Sequence, residues 1–503
     1  MSNSHFLGLW INGLVLAAIF VARAGDSLPR ATPSSANVDS AKLLEYVEAL
    51  DSQVDGMHSL MIVRGGKVIA EGWWTPYDAK SQHTMYSLSK SFTSTAIGLA
   101  QAEGKLSIDD TVVSFFPDLV PANPSPNLKA MRVRDLLAMS SGHHAEDIAK
   151  FDYQSEDAVK QFLALPVAHK PGTHFMYNTP GSFMLSAIVQ KATGQSTLTY
   201  LQSRLFEPLG IHDPQWDAGK SGINLGGFGL HIRTEDIAKF GLLYLREGEW
   251  NGKRLLPKEW VQAATARQTS NGSNPKSDWD QGYGYQFWRC RNAGYRGDGA
   301  FGQYCIVLPK QDTVVAITSG VRDMQKILDV TWDYLLPALT AKSGDKNHEP
   351  ETKLKQKLAS LKLRTVEGDP ASPILQDISG KKFKFADNSE NLQTISIERA
   401  KDASILNVQM NGKNYPLECA PGKWSAPQNF VWPGTGLENS REEKASATGA
   451  WNGNVFIAKI AFTESPYVLT LKCDFSKEQV TVDPEFNVAF GSTKKAQLTG
   501  RSD

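Results

Sequence analysis

The sequence lacks the features that mark several large functional classes. Among 503 residues there are four cysteines, Cys290, Cys305, Cys419 and Cys473, and none stands in a C-x-x-C pair, which excludes a zinc knuckle or a dithiol redox motif. Neither charge is in excess: Lys plus Arg and Asp plus Glu both number 53, so no global field argues for nucleic acid or an anionic membrane as partner. No G-x-S-x-G elbow occurs, which excludes the exposed turn serine of the α/β-hydrolases. H-E-x-x-H is absent too. His143 and His144 with Glu146 and Asp147 lack metal-site spacing and read as a polar loop, so neither a metal nor a cofactor is expected. Ala218-Gly219-Lys220-Ser221 imitates the end of a phosphate loop, but Pro214 stands where its first glycine is required.

Long apolar runs are equally scarce. The one present, from Leu7 to Ala22, is followed by Ala22-Arg23-Ala24, the h-region and small-residue cleavage site of a secretory signal cut near Ala24. Residues 1–24 are therefore expected to direct export, periplasmic or extracellular, leaving no stable membrane span, and 25–38 read as a flexible leader. Export would let the cysteines pair. A bridge needs Cα atoms within roughly 7 Å, so pairing is expected within domains, Cys290 with Cys305 and Cys419 with Cys473.

What is present divides the chain into two folded units. Asp39 and Ser40 cap a helix carrying Leu43, Leu44, Val47 and Leu50, after which the period changes to two: residues 58–64 and 67–74 flank Gly65-Gly66 as a hairpin. Residues 305–309 and 313–319 read as two more strands, and 324–339 as an amphipathic helix. Residues 39–340 are thus expected to form an α+β unit, one sheet closed by sequence-distant segments, with a helical insertion over about 105–250. A charge-dense linker, 341–373, leads to short alternating runs over 374–503. With Asn411-Gly412 and Asn452-Gly453 as hairpin turns, these predict an antiparallel β domain, barrel or sandwich.

The chemistry concentrates at Ser87-Leu88-Ser89-Lys90. A serine and a lysine three residues apart share one helix face, so the amine reaches the hydroxyl. Lysine serves as a base only where burial or positive charge keeps it neutral, and Phe92, Ala96, Ile97, Leu99 and Ala100 make this helix apolar almost all round. S-x-x-K alone is a weak motif that occurs by chance, so the other segments matter. Tyr177 lies in a turn just before another helix, where a phenol could relay a proton. Tyr295-Arg296-Gly297-Asp298-Gly299 is a glycine-rich strand end whose backbone can approach a ligand and offer N–H groups to an oxyanion.

Taken together, these segments resemble the serine β-lactamase and penicillin-binding superfamily, particularly its class C β-lactamase-like branch of esterases and 6-aminohexanoate-dimer hydrolases. The resemblance covers about residues 45–335 and includes Leu106-Ser107-Ile108-Asp109-Asp110, Leu136-Leu137-Ala138-Met139-Ser140-Ser141-Gly142, Pro171-Gly172 leading to Tyr177, and Gly226-Gly227-Phe228-Gly229. It implies a β-lactamase/transpeptidase-like antiparallel sheet flanked by helices, with a helical subdomain and a β-barrel appendage. It further implies Ser87 as acylated nucleophile, Lys90 as its partner and Tyr177 as acid/base. Two segments depart from the family pattern. Tyr177-Asn178-Thr179 has threonine where the family often has asparagine, leaving Asn178 and Thr179 as alternatives for the polar contact. Lys-Thr-Gly or His-x-Gly is replaced by the segment around Arg296 and Asp298. Arg296 could hold a substrate carboxylate only if it points into the cleft, and strand alternation leaves its direction open.

The expected function is that of an exported serine hydrolase acting on a small ester, amide or peptide, with no nucleic-acid partner and an open oligomeric state. Neutral esters and amides are expected over carboxylate-bearing substrates, because Asp298 adds negative charge where their carboxylate would lie. The alternatives are a β-lactamase or D-alanyl carboxypeptidase, and a slowly acylating penicillin-binding sensor or cell-wall binding protein. All three motifs precede Gly320, so the β domain is expected to be dispensable for the chemical step.

Overall fold

Alternating apolar residues at both ends of the first unit build its central sheet. A computed structural model describes residues 27–341, 348–434 and 442–502. The apolar run read as a secretion signal, with the first two residues of the leader, lies outside the described residues. Strands Met57–Arg64 (β1), Lys67–Trp73 (β2), Trp288–Arg289 (β3), Tyr295–Gly299 (β4), Gln303–Leu308 (β5) and Thr313–Ser319 (β6) form an antiparallel sheet in the order β2-β1-β6-β5-β4-β3. β1 pairs with β6, Leu60 opposite Ile317 and Ile62 opposite Val315, so the two ends of the unit meet at the sheet centre.

Period-two alternation gives each sheet face its own core. Leu60, Ile62, Tyr304, Ile306, Val315 and Ile317 pack against Ser40–Gln53 (α1) and the helical segment from Met324. Met61, Val63, Cys305, Val307, Val314 and Ala316 face the other way. There they pack with Ser89–Ala102 (α2), Thr179–Thr193 (α3) and Thr234–Leu245 (α4). Every residue of α2 from Ser89 to Ala100 is buried. A Cβ on Gly98 would strike the Trp260 indole, so a glycine is needed where this helix meets its neighbour.

Ten strands, from Phe383–Phe385 to Leu498–Ser502, curl into one antiparallel near-barrel. Burial alternates strictly along Ser404–Met410 and Gln479–Phe486, filling the interior with Leu406, Val408, Val480 and Val482. Asn411-Gly412 is one hairpin turn, with positive φ at both residues, whereas the second falls one residue later than expected, at Gly453-Asn454, because Asn452 still pairs with Val455.

Three expectations change. Residues 28–38 are docked rather than loose: Leu28 is buried, Ala31 donates its N–H to Val68, and Leu28 donates to Glu235. The linker is likewise strapped down, because Leu354, Leu361 and Leu363 enter the core beside α1 and β2, and Thr75 exchanges backbone bonds with Leu361 and Leu363. All four cysteines are free and buried. Cys305 faces α4, its Sγ 3.5 Å from the Ile237 carbonyl, whereas Cys290 belongs to the core on the opposite face, 3.6 Å from Arg296 Nη1. A sheet therefore separates the two thiols.

The domains are joined beside α2. Tyr77 donates to the carbonyls of Phe462 or Ser465, at 3.2 and 3.3 Å, and Thr84 donates its N–H to Glu464. Behind them His58 stacks on Tyr77 at 3.7 Å, and its Nδ1 lies 3.2 Å from His83 Nε2. His83 Nδ1 lies 2.9 Å from the Thr84 carbonyl, a chain that leaves at least one of the two imidazoles neutral, since one ring nitrogen must accept from the other.

Two measurements follow. Alkylation of the protein unfolded without reductant should modify four thiols, whereas two or none would restore the disulfides. Burial pushes His83 down to about 4 and His58 well below its ordinary value. The unfolded chain therefore binds more protons than the native one between roughly pH 6.5 and 4, and stability falls as pH drops through that window. His83 alone accounts for on the order of 3 kcal/mol. Urea midpoints should decline across it, and less steeply in His83→Gln; equal slopes would remove His83 as the cause.

Candidate active site

Ser87 sits in the single turn Tyr86–Leu88 that feeds directly into α2. Tyr86 has φ 44°, a left-handed conformation that a bulky residue holds only when its surroundings compensate. Here the Tyr86 phenol is 2.6 Å from that of Tyr467 in the β domain, and its ring meets Phe301 edge-on at 5.5 Å. The strained residue thus turns its side chain into the β-domain core and leaves Ser87 half-buried at a cavity wall.

One turn on, Lys90 is 1% exposed. Its Nζ lies 3.1 Å from Ser87 Oγ and donates to the Gly227 carbonyl at 2.8 Å. Burial lowers the amine from 10.5 to about 7, with Asp298 opposing the shift. At neutral pH much of it is therefore an uncharged base beside a hydroxyl. Gly227 explains the run Gly226-Gly227-Phe228-Gly229: a Cβ there would fall 2.6 Å from Thr179 Cγ2 and 3.4 Å from Lys90 Nζ. The run was visible in the sequence, but its use as an acceptor for the amine was not.

Tyr177 completes the group. Its ring stacks on Trp288 at 5.5 Å, with Lys90 Nζ 4.9 Å from the ring centroid. Burial first and Asp298 second push the phenol up, while the Ser87 hydroxyl draws it part of the way back. It is a neutral proton donor where Lys90 is a neutral acceptor, the separation of roles that acid–base chemistry needs. Asn178 and Thr179 take different places. Asn178 caps α3, accepting from Gly181 N–H at 2.8 Å and donating to Ser141 Oγ at 2.9 Å, and only Thr179 lines the cavity.

On β4, Gly297 and Gly299 let the strand lie against the Ser87 turn: a Cβ on Gly297 would strike Leu88, and one on Gly299 the Met85 carbonyl. The Gly299 carbonyl accepts from Gly302 N–H at 3.1 Å, so across the planar peptide the Ala300 N–H points the other way, out of the hairpin. Neither the Ala300 nor the Ser87 amide has an acceptor among the described residues, and both residues line the cavity. Ala300 was missed in the sequence because only the hairpin geometry frees its amide.

Arg296 does not reach the cleft. It is fully buried, ion-paired with Asp298 at 2.9 Å, bonded to the Asp278 carbonyl at 2.9 Å, and set 4.7 Å from the Trp279 ring centroid. Asp298 is the member of the pair that lines the cavity, with burial raising its carboxyl and Arg296 lowering it. The cavity measures about 500 Å³ and is otherwise walled mainly by aromatic rings, among them Tyr153, Phe228, Trp279, Trp288 and Phe490. Phe490 comes from the β domain, so that domain supplies part of the cavity wall. Among the described residues no three His, Cys, Asp or Glu side chains converge to hold a metal.

Comparisons with known proteins meet this geometry from outside. Over 339 residues the chain is 24% identical to the 6-aminohexanoate-dimer hydrolase of Paenarthrobacter ureafaciens, covering 60% of this chain and 85% of that protein. It is 27% identical over 175 residues to the lovastatin esterase of Penicillium rubens, covering 30% of this chain and 44% of that one. Its fold matches EstCE1, a hydrolase with promiscuous acyltransferase activity, with a TM-score of 0.50 at 16% identity, covering 58% of this chain and 99% of that structure. The Beta-lactamase family profile matches residues 45–336, more than half of the sequence, and the chain belongs to that family.

Proposed function

We propose that the protein is a serine hydrolase that cleaves uncharged, small-molecule esters or amides through an acyl-Ser87 intermediate. The observation that carries this reading is the 3.1 Å approach of a desolvated Lys90 amine to Ser87 Oγ. Ser87 gives its proton to Lys90 as Oγ attacks the carbonyl carbon, and the oxyanion takes hydrogen bonds from the Ser87 and Ala300 amides. Lys90 passes the proton through Tyr177 to the departing alcohol or amine. Water then repeats the sequence on the acyl-enzyme, giving its proton to Lys90 and releasing Ser87 with the acid.

Relatives named 6-aminohexanoate-dimer hydrolase and lovastatin esterase support the reaction class. The preference for uncharged substrates rests on Arg296 and Asp298. A substrate carboxylate needs a positioned cation to offset its desolvation, and Arg296 is spent on Asp298 behind the cavity wall. Asp298 itself repels such a group. This argues against β-lactams and D-alanyl peptides as preferred substrates. Export rests on the apolar run at residues 7–22 alone, since unpaired cysteines give it no support.

A fluorophosphonate should label Ser87, and Ser87→Ala should lose both the label and turnover of a p-nitrophenyl ester; a label on another serine overturns the assignment. Log kcat/KM should rise with pH through an apparent value near 7 as Lys90 loses its proton. Asp298 stabilises the ammonium, so in Asp298→Asn the inflection should move to lower pH, with circular dichroism reporting the folded fraction. An inflection that stays put or rises would exclude Lys90 as the titrating base.

A further inference from the structure

The large apolar side chains left exposed among the described residues are Leu119, at 37%, and Phe490, at 60%. Leu119 ends a short surface turn. Phe490 projects from the β domain into the wall of the cavity that holds Ser87. Its ring is 4.8 Å from that of Phe301 and 5.6 Å from that of Tyr86, the residue immediately before the nucleophile.

The position is built rather than accidental. The loop carrying Phe490 follows strand Gln479–Phe486 and is closed by a hydrogen bond from Phe486 N–H to the Thr493 carbonyl at 3.0 Å. Arg322 of the hydrolase domain clamps it twice, donating Nε to the Asn487 carbonyl at 2.9 Å and Nη2 to Thr493 Oγ1 at 2.6 Å. Asn487 returns the contact through Nδ2 to the Gly320 carbonyl at 2.8 Å. Beneath the ring, the phenols of Tyr86 and Tyr467 join the two domains. A large aromatic held half in water by four cross-domain hydrogen bonds leaves apolar surface uncovered, and a bound apolar group would cover it.

We propose that Phe490 is a specificity residue lent by the β domain. With Tyr86, and backed by the buried Phe301, it forms an apolar wall that packs on an aromatic or long-chain group flanking the carbonyl of the ester or amide at Ser87. This rests on the serine-hydrolase reading and adds the substrate class: bulky and apolar beside the scissile bond, rather than short or polar. Differences of one or two apolar groups in a pocket change kcat/KM by about tenfold or more.

The test uses the full chain and two matched substrate pairs, p-nitrophenyl octanoate against acetate and benzyl acetate against ethyl acetate. In Phe490→Ala the large-to-small ratio of kcat/KM should fall about tenfold in at least one pair, through KM, and Phe490→Leu should recover part of it. Ratios within twofold of wild type in both pairs would overturn the proposal. Fluorophosphonate labelling of Ser87 in the same preparations separates the two readings. Labelling with unchanged ratios removes Phe490 alone, whereas no labelling removes the serine mechanism and this inference with it.

Discussion

The site depends on keeping one amine out of water. Charging Lys90 in its buried position, with the shift from 10.5 to about 7, costs roughly 5 kcal/mol relative to the exposed side chain. Several features of the fold sustain that cost. α2 is enclosed between the sheet and the helical layer, which removes solvent from the stem of the side chain. The Gly227 carbonyl satisfies one N–H and leaves the lone pair for Ser87. Asp298 is the opposing charge, and unopposed it would hold the proton on the amine. Arg296, buried behind the tryptophans, pairs with that carboxylate. The residue that looked like a substrate anchor is therefore held by Asp298 instead of facing the cleft.

A second constraint couples the domains. Tyr86 adopts its left-handed conformation because its side chain packs in the core of the β domain, between Phe301 and the Tyr467 phenol. The strain fixes the Ser87 turn, and the packing that offsets it is supplied partly by the other domain. Rigidity at the nucleophile thus depends on the near-barrel being docked. The buried neutral imidazoles of His58 and His83 sit in the same joint and make its stability sensitive to acid.

Local patterns in the sequence carried the fold class far. Alternation around Gly65-Gly66, the apolar all-round helix after Ser87 and the hairpin at Asn411-Gly412 each report a local pattern that the fold enforces, and each element is present. Ser87, Lys90 and Tyr177 could be named because S-x-x-K and the turn before α3 keep their order, and the structure brings the three together. What stayed hidden depends on register or on distant partners. Which way Arg296 points is set by a one-residue alternation that spacing cannot supply. Cys290 and Cys305 look like neighbours in sequence and lie on opposite faces of a sheet. That Asn178 caps a helix depends on the fold around it, in which its side chain also reaches Ser141. Phe490 belongs to no motif, being an aromatic on a loop placed by Arg322 of the other domain.

The central claim is that Lys90 is neutral at working pH because it is desolvated, and its protonation can be observed directly. With lysine labelled at the ε-carbon, the Lys90 resonance, assigned by its loss in Lys90→Arg, should titrate near pH 7 in the folded protein, well apart from the other lysines. A Lys90 signal that titrates near 10, with the bulk of the surface lysines, would contradict the account.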